Sequence, residues 1–241
     1  MLDGEFIGGD DLRAFLMIGQ SNMAGRGDIA DVPPINNFRC YMLRTGRFIR
    51  MREPVNPDRP IFDGAYRPGI SLAASFADKF AVENKTRVGL IPCADGGSSI
   101  NMWLPGTIFY DYAVAMARLA ARTSTLSGIL WHQGETDAEG GMAEEEYAEK
   151  LKILIAALRR DLGAKLPFIM GEISTELREP GISKDAIAAI NKAIHGVAAS
   201  TPGCAVASAN GLTLKADGLH FNSVSLREFG NRYYEAYASV K

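Results

Sequence analysis

The sequence predicts an α/β fold built around a central, mostly parallel sheet of five strands. Five short apolar runs, each bounded by Gly, Pro or polar residues, have the length and the boundaries of buried strands. Longer segments with helical spacing lie between these runs. Strands that alternate with helices indicate βαβ units, in which neighbouring strands run parallel. No internal repeat or linker divides the chain, so we expect residues 1–241 to form a single domain.

The order of the elements follows from these patterns. The predicted strands are residues 14–18, 88–91, 128–131, 168–170 and 204–207. The predicted helices are residues 71–82, 108–121, 143–160, 185–198 and 224–237. The clearest helix is 143–160, where apolar residues recur at steps of three and four from Tyr147 to Leu158. Glutamates open this segment and Arg159 and Arg160 close it, as the helix dipole favours.

Residues 28–68 do not fit this alternation. Six prolines are scattered through the segment among short apolar patches. Long connections in compact domains are uncommon and often serve as lids or walls of binding sites. We therefore expect residues 28–68 to make a long excursion that borders a binding site.

The charge balance disfavours two classes of partner. The chain carries 26 Lys and Arg against 28 Asp and Glu, for a formal net charge of -2. No excess of positive charge is present to hold a nucleic-acid backbone or an anionic membrane. Hydrophobic residues make up 47% of the chain, which is enough for a packed core.

Cysteine usage and the first residues bear on the compartment. Cys40, Cys93 and Cys204 are too few and too widely spaced for a disulfide framework, and no CxxC pair is present. The first residues lack a basic segment followed by an apolar run, and no stretch approaches the roughly 18 apolar residues of a membrane span. The chain as given is expected to be cytoplasmic, or secreted or periplasmic if a signal peptide has been removed. The oligomeric state is left open.

A serine stands where the first predicted strand ends. Ser21 lies in Gly-Gln-Ser-Asn-Met, directly after the strand. Ligands of open α/β sheets bind beyond the carboxyl ends of the strands, so this hydroxyl is well placed to meet one. By itself Ser21 could equally cap the helix that follows. Its neighbour Asn22 is polar where packing favours an apolar residue, and we expect it to tie loops together.

An Asp-Gly-Leu-His sequence near the carboxyl end supplies a base and an acid. A serine hydroxyl needs a base to take its proton and an acid to orient that base. Asp217 and His220 are three residues apart across a glycine-containing turn, so their side chains can reach one another locally. The alternative is a loop histidine beside a turn aspartate.

Two further loops follow predicted strands. Residues 131–137 place His132, Gln133 and Glu135 close to a strand end. A glutamine amide can donate to a developing oxyanion, as can main-chain N–H groups of a glycine-rich loop such as the one with Gly96 and Gly97. That glycine loop could also be a phosphate cradle or a plain turn, because it matches neither GxGxxG nor GxxxxGK[ST].

Together these four blocks resemble the SGNH hydrolases, in particular the carbohydrate esterases of family six and the sialate O-acetylesterase-like domains. The blocks occur in the family order and span nearly the whole chain. The resemblance implies a three-layer α/β/α flavodoxin-like fold and an ester hydrolase. It implies Ser21, His220 and Asp217 as the catalytic triad, with an alternative acid in Glu135.

The same resemblance implies the rest of the site. The oxyanion hole would comprise the main-chain N–H groups of Ser21 and of Gly97 or Gly96, together with the Gln133 amide. No cofactor and no metal are implied, which agrees with the absence of HExxH and with only three histidines in the chain.

The expected substrate is an acetylated carbohydrate, such as acetylxylan or an acetylated sialate. Trp103 could stack on a sugar ring or equally be a core aromatic, and Asn101 could contact a polar ring. Arg26 could meet a carboxylate or a hydroxyl, although an arginine more commonly lies on the surface. Two alternatives remain open: a short-chain esterase that acts on non-carbohydrate esters, and a non-catalytic sugar-binding module on the same fold.

Overall fold

The computed structural model describes residues 11–57, 68–163 and 165–240. Within these ranges seven strands form one sheet. They are β1 (Leu12–Gly19), β2 (Cys40–Arg44), β3 (Arg47–Arg50), β4 (Arg87–Pro92), β5 (Thr125–His132), β6 (Phe168–Gly171) and β7 (Cys204–Ala207). The strand order is β3-β2-β4-β1-β5-β6-β7, and β3 alone among them runs antiparallel to its neighbour. The mostly parallel sheet is confirmed, but the prediction of five strands was wrong.

The two additional strands form a hairpin inside the proline-rich segment. Thr45 and Gly46 connect β2 to β3, and both have positive φ angles, 45° and 79°. Two consecutive residues of this kind are typical of the tight turn that joins antiparallel strands. The hairpin of β2 and β3 therefore extends the sheet beyond β4. The remainder of the predicted excursion, residues 58–67, lies outside the described residues.

All five predicted helices are present. The helices are α1 (Ser21–Ala24), α2 (Leu72–Asn84), α3 (Ile108–Ala120), α4 (Glu135–Glu139), α5 (Glu144–Leu162), α6 (Lys184–Ser200) and α7 (Ser223–Val240). Ser71 and Ser183 cap α2 and α6, because their side chains accept the main-chain N–H groups of Ala73 and Ala186. The sequence did not predict α1 and α4, whose four and five residues are too few for a helical period to show.

The sheet is covered on both faces. Along β1, Leu16 and Ile18 join a buried cluster with residues of α3, α5 and α6. Phe15 and Met17 point the other way into a second cluster with residues of α2 and α7. Because successive side chains of a strand face opposite sides, this division places one helical layer on each face. The predicted three-layer α/β/α arrangement is confirmed.

The strand order also locates the ligand-binding edge. Without the β2–β3 hairpin, the order is second-first-third-fourth-fifth along the chain, the flavodoxin-like order. In such sheets ligands bind at the carboxyl ends of the strands where the order reverses, here around β1 and β5. Gly19 lets these two strands end side by side: its φ is +121°, and a Cβ there would lie 2.1 Å from the His132 main-chain oxygen.

Within the described ranges, no helix combines the length and apolar character needed to span a membrane.

Candidate active site

Three side chains predicted to act together do meet at this edge. Ser21 begins α1 directly after β1, and its Oγ lies 3.0 Å from His220 Nε2. His220 Nδ1 lies 3.0 Å from Asp217 Oδ2. The fold thus joins Ser21 to a histidine 199 residues away in the sequence.

The turn that carries Asp217 and His220 is held by its own hydrogen bonds. Asp217 Oδ1 accepts the main-chain N–H groups of Leu219 and His220, each at 3.0 Å. Burial raises the pKa of Asp217, but these hydrogen bonds and the His220 ring outweigh it and hold the pKa below its usual value. The ionised Asp217 carboxylate can only accept a hydrogen bond. His220 Nδ1 therefore carries the hydrogen, and His220 Nε2 is left as an acceptor that faces Ser21.

Ser21 lies at the wall of a cavity of about 210 Å³. The cavity is formed by loops that follow β1, β4, β5 and β6 and by the turn with His220. Its lining comprises Gln20, Ser21, Arg26, Gly96, Gly97, Glu135, Thr136, Glu139, Glu179, Ile182, Leu219 and His220. None of residues 28–57 is among them, so the described part of the proline-rich segment does not border this cavity, contrary to the prediction.

Main-chain donors are available beside the serine. Ser21, Gly96 and Gly97 all line the cavity. In the described part of the chain, their main-chain N–H groups donate to no protein acceptor. The residues predicted to supply main-chain donors therefore lie at the same cavity as Ser21.

Glu135 lies behind the serine and not beside His220. Its Oε1 accepts a hydrogen bond of 2.6 Å from the side chain of Asn22 and lies 3.2 Å from His132 Nε2. The structure therefore does not support Glu135 as the acid partner of His220, the alternative that the sequence left open. Burial raises the pKa of Glu135, but the His132 ring and the Asn22 amide outweigh it and keep the pKa below its usual value.

His132 has a hydrogen-bond partner at each of its ring nitrogens. The Tyr233 hydroxyl gives its hydrogen to the Trp131 main-chain oxygen at 2.7 Å, so it can only accept from His132 Nδ1, 3.2 Å away. His132 Nε2 faces the ionised Glu135. The result is a buried histidine–glutamate pair one layer beneath the serine, with both side chains at most 2% exposed.

Asn22 connects this buried pair to the turn that carries His220. Its Nδ2 binds Glu135, and its Oδ1 accepts the Phe221 main-chain N–H at 3.1 Å. Phe221 follows His220 directly, so the buried pair fixes the loop that carries the base. The prediction that Asn22 ties loops together is confirmed.

The Gln133 amide is directed into the protein. Gln133 is fully buried and does not line the cavity. Its Nε2 donates to Gln20 Oε1 and the Ser98 main-chain oxygen, both at 3.0 Å, and to the Asp137 carboxylate. The structure does not place this amide where the sequence predicted it, at the oxyanion.

The three residues that the sequence predicted to contact a sugar lie in different environments. Trp103 is fully buried, donates from Nε1 to Ser98 Oγ at 2.9 Å, and stacks on Phe109, so the prediction that it meets a sugar was wrong. Asn101 is exposed but lies outside the cavity lining. Arg26 does line the cavity, with its guanidinium packed against Gly96.

Several cavity residues carried no signal in the sequence. They are Glu139, Glu179, Ile182 and Leu219, whereas Thr136 belongs to the polar run 131–137 that the sequence places after a predicted strand. Gln20 could have been found, because it is polar and stands between a buried strand and Ser21. Across the described ranges, no group of three or more His, Cys, Asp or Glu side chains is placed to hold a metal ion.

Comparison with known proteins finds a matching family. Residues 11–239 match the model of the family described as carbohydrate esterase, sialic acid-specific acetylesterase. The chain is similar to the probable carbohydrate esterase At4g34215 of Arabidopsis thaliana, with 29% identity over 244 residues that cover 93% of this chain and 90% of that protein.

Solved structures show the same architecture. The crystal structure of that Arabidopsis thaliana protein matches with a TM-score of 0.79 and 26% identity, over 96% of this chain and 99% of that chain. The crystal structure of NanS matches with a TM-score of 0.74 and 18% identity, over 97% of this chain and 98% of that chain. XAC1771, a carbohydrate acetylesterase from Xanthomonas citri, matches at 0.67 and 17%, over 95% of this chain and 56% of that chain. The last two, at less than 25% identity, show the fold alone.

Proposed function

The chain belongs to the sialic acid-specific acetylesterase family of carbohydrate esterases and is a carboxylic ester hydrolase, and we propose that it removes O-acetyl groups from a carbohydrate through an acyl-serine intermediate. The observation that carries the proposal is the chain of hydrogen bonds from Ser21 Oγ through His220 to Asp217 at the cavity wall. This arrangement supplies a nucleophile, a base and an orienting acid.

The first half of the reaction transfers the acetyl group to the enzyme. His220 Nε2 takes the hydroxyl proton of Ser21 as Oγ attacks the acetyl carbonyl carbon. Asp217 holds the ring orientation and stabilises its positive charge. When the tetrahedral intermediate breaks, His220 gives the proton to the departing sugar oxygen, and acetyl-Ser21 remains.

The second half releases acetate. A water molecule attacks the acetyl-serine carbonyl and gives a proton to His220 Nε2. The proton then passes to Ser21 Oγ as its bond to the acetyl carbon breaks. In both halves the carbonyl oxygen becomes negative next to the main-chain N–H groups of Ser21, Gly96 and Gly97, which need no reorganisation to meet it.

The size and the lining of the cavity favour a substrate in which a small acyl group is attached to a polar molecule. Its volume of about 210 Å³ is below the roughly 300–1,000 Å³ of pockets for drug-sized ligands. Glu139 and Glu179 offer carboxylate acceptors for sugar hydroxyls, while Ile182 and Leu219 offer a limited apolar surface. These features favour acetylated sugars, whether an acetylated sialate or an acetylxylan of the kind expected for carbohydrate esterase family six.

Acetate release from a panel of substrates tests the proposal. We expect release from at least one acetylated saccharide, and none from the purified Ser21→Ala variant with unchanged circular dichroism. A fluorophosphonate should label the wild-type protein at Ser21. Activity on aryl acetates alone would place the enzyme among general short-chain esterases, and a protein with neither labelling nor turnover would be a sugar-binding module. Wild-type rates in Ser21→Ala would refute the serine mechanism.

A further inference from the structure

We propose that the side-chain amide of Gln20 is the side-chain donor of the oxyanion hole and that Gln133 positions it. This inference rests on the proposed serine mechanism. It assigns to the residue immediately before Ser21 the role that the sequence predicted for Gln133, and it starts from the hydrogen bonds that these two amides make.

The orientation of the Gln20 amide follows from donors that cannot act as acceptors. The main-chain N–H groups of Gly134 and Thr136 point at one terminal atom of Gln20, at 3.2 and 3.4 Å. A main-chain N–H can only donate, so that atom is the oxygen, Oε1. Its partner atom Nε2 must therefore point away from the loop that contains Gly134.

The orientation of the Gln133 amide follows in turn. The atom that approaches Gln20 Oε1 at 3.0 Å must be a donor, so it is Gln133 Nε2. This nitrogen also faces the Ser98 main-chain oxygen and the Asp137 carboxylate. The Gln133 oxygen accepts from the Tyr147 hydroxyl at 3.0 Å. Both ends of the buried Gln133 amide are thus occupied, and neither is available to a substrate.

The nitrogen of Gln20 is in the opposite situation. Gln20 lines the cavity together with Ser21, Gly96 and Gly97. Across residues 11–57, 68–163 and 165–240, no protein acceptor meets Gln20 Nε2. This nitrogen is nevertheless not completely buried, because part of its surface remains accessible to solvent. This nitrogen is therefore available to a ligand in the cavity that Gln20 lines together with Ser21.

The support around Gln20 suits a catalytic donor. Three hydrogen bonds on Oε1 hold the amide, and Gln20 is only 2% exposed. An oxyanion donor is effective when it is already in place before charge develops. Gln133, anchored by Tyr147 and Ser98, keeps the Gln20 oxygen turned inward and so the nitrogen turned outward.

Gln20→Glu tests the donor with little change of shape. One carboxylate oxygen can still accept from Gly134 and Thr136, whereas the other replaces the donating NH₂ with a negative charge. We expect kcat on aryl acetates to fall by about 100- to 1,000-fold with KM nearly unchanged, the typical cost of one lost oxyanion donor. Asn210→Asp, which adds the same charge at an exposed residue, should retain the wild-type kcat. A folded Gln20→Glu enzyme within threefold of wild type would overturn the proposal.

A crystal structure of the wild-type phosphonate adduct gives a test that needs no variant. The phosphonyl oxygen occupies the oxyanion position, and we expect Gln20 Nε2 within about 2.7–3.1 Å of it. Gln133 Nε2 should stay on the Ser98 oxygen. An adduct in which Gln133 or only main-chain groups meet that oxygen would overturn the assignment of Gln20, yet it would support the serine mechanism. Absence of any adduct at Ser21 would instead refute the mechanism itself.

Discussion

The carboxylate of Glu135 accepts a hydrogen bond of 2.6 Å from the side chain of Asn22, the residue next to Ser21. Glu135 also pairs with His132, and both are buried. Since Asn22 in turn holds the main chain at Phe221, the pair acts on the loop that carries His220 and not on the His220 ring. Glu135 and Asp217 therefore have separate roles, which kinetic and stability measurements can distinguish.

Asp217→Asn should have the larger kinetic effect. An amide in place of the carboxylate favours the wrong tautomer of His220, so Nε2 no longer accepts the Ser21 proton. We expect kcat to fall by up to about 10⁴, the size of this effect in a serine protease, with little change in KM. Glu135→Gln, measured in parallel at 25 °C, should cost less. The reverse ranking would make Glu135 the acid partner.

Glu135→Gln should instead lower stability in a pH-dependent way. Removal of one partner of a buried ion pair costs about 3 kcal/mol in free energy of unfolding at pH 7. Because the folded-state pKa of Glu135 lies below the unfolded value of about 4.3, its stabilisation is present above that pH and is lost as pH falls through the folded pKa.

Urea unfolding at pH 7 and pH 3.5 checks this expectation. The difference in free energy of unfolding between wild type and Glu135→Gln should be smaller at pH 3.5 than at pH 7. Glu149→Gln, at an exposed carboxylate on α5, should differ little from wild type at either pH. A gap that stays constant or widens on acidification would contradict the buried ion pair.

Gly19→Ala should destabilise the ligand-binding edge. A Cβ would lie 2.1 Å from the His132 main-chain oxygen at a φ of +121°, so β1 and β5 would have to separate. We expect a loss of about 3 kcal/mol, or roughly 6–12 °C in Tm for a chain of this size. Gly196→Ala is the matched control, because Gly196 lies in α6 and a Cβ there meets nothing within 4 Å. A Tm for Gly19→Ala equal to that of the control would refute the close approach.

A longer acyl chain on the substrate should lower kcat/KM. Ile182 and Leu219 are the large apolar side chains in the described lining, too few to bury an extended chain. Each additional methylene that is buried would otherwise contribute about 0.8 kcal/mol. For esters of one leaving group, kcat/KM should fall from acetyl to butyryl to octanoyl. A rise with chain length would favour a general esterase with an apolar acyl site.

Removal of metal ions with EDTA should leave the rate of acetate release unchanged. The proposed mechanism draws its nucleophile, base and oxyanion donors from the chain itself, and the site has no cluster of ligating side chains among the described residues. We expect equal rates of acetate release before and after dialysis against EDTA. Loss of activity that added Zn²⁺ or Mg²⁺ restores would contradict this mechanism.

The sequence predicted those features that depend on neighbours along the chain. Apolar runs and helical periods located five strands and five helices, because each pattern extends over one continuous element. Asp217 and His220 were found as a pair for the same reason, since a single turn brings them together. The hairpin of β2 and β3 was missed because each strand has only four or five residues in a proline-rich segment.

Tertiary structure decided which of the candidate side chains meet in the cavity. Ser21 and His220 are 199 residues apart, and no pattern along the chain brings them together. The direction of a side chain at the end of a strand was beyond the sequence, which could not show that Gln133 points inward and Gln20 faces the cavity. Trp103 was misassigned because a tryptophan after a loop can be buried or exposed, depending on partners such as Phe109. These outcomes depend on packing and hydrogen bonding between distant segments, which exist only once the sheet has assembled.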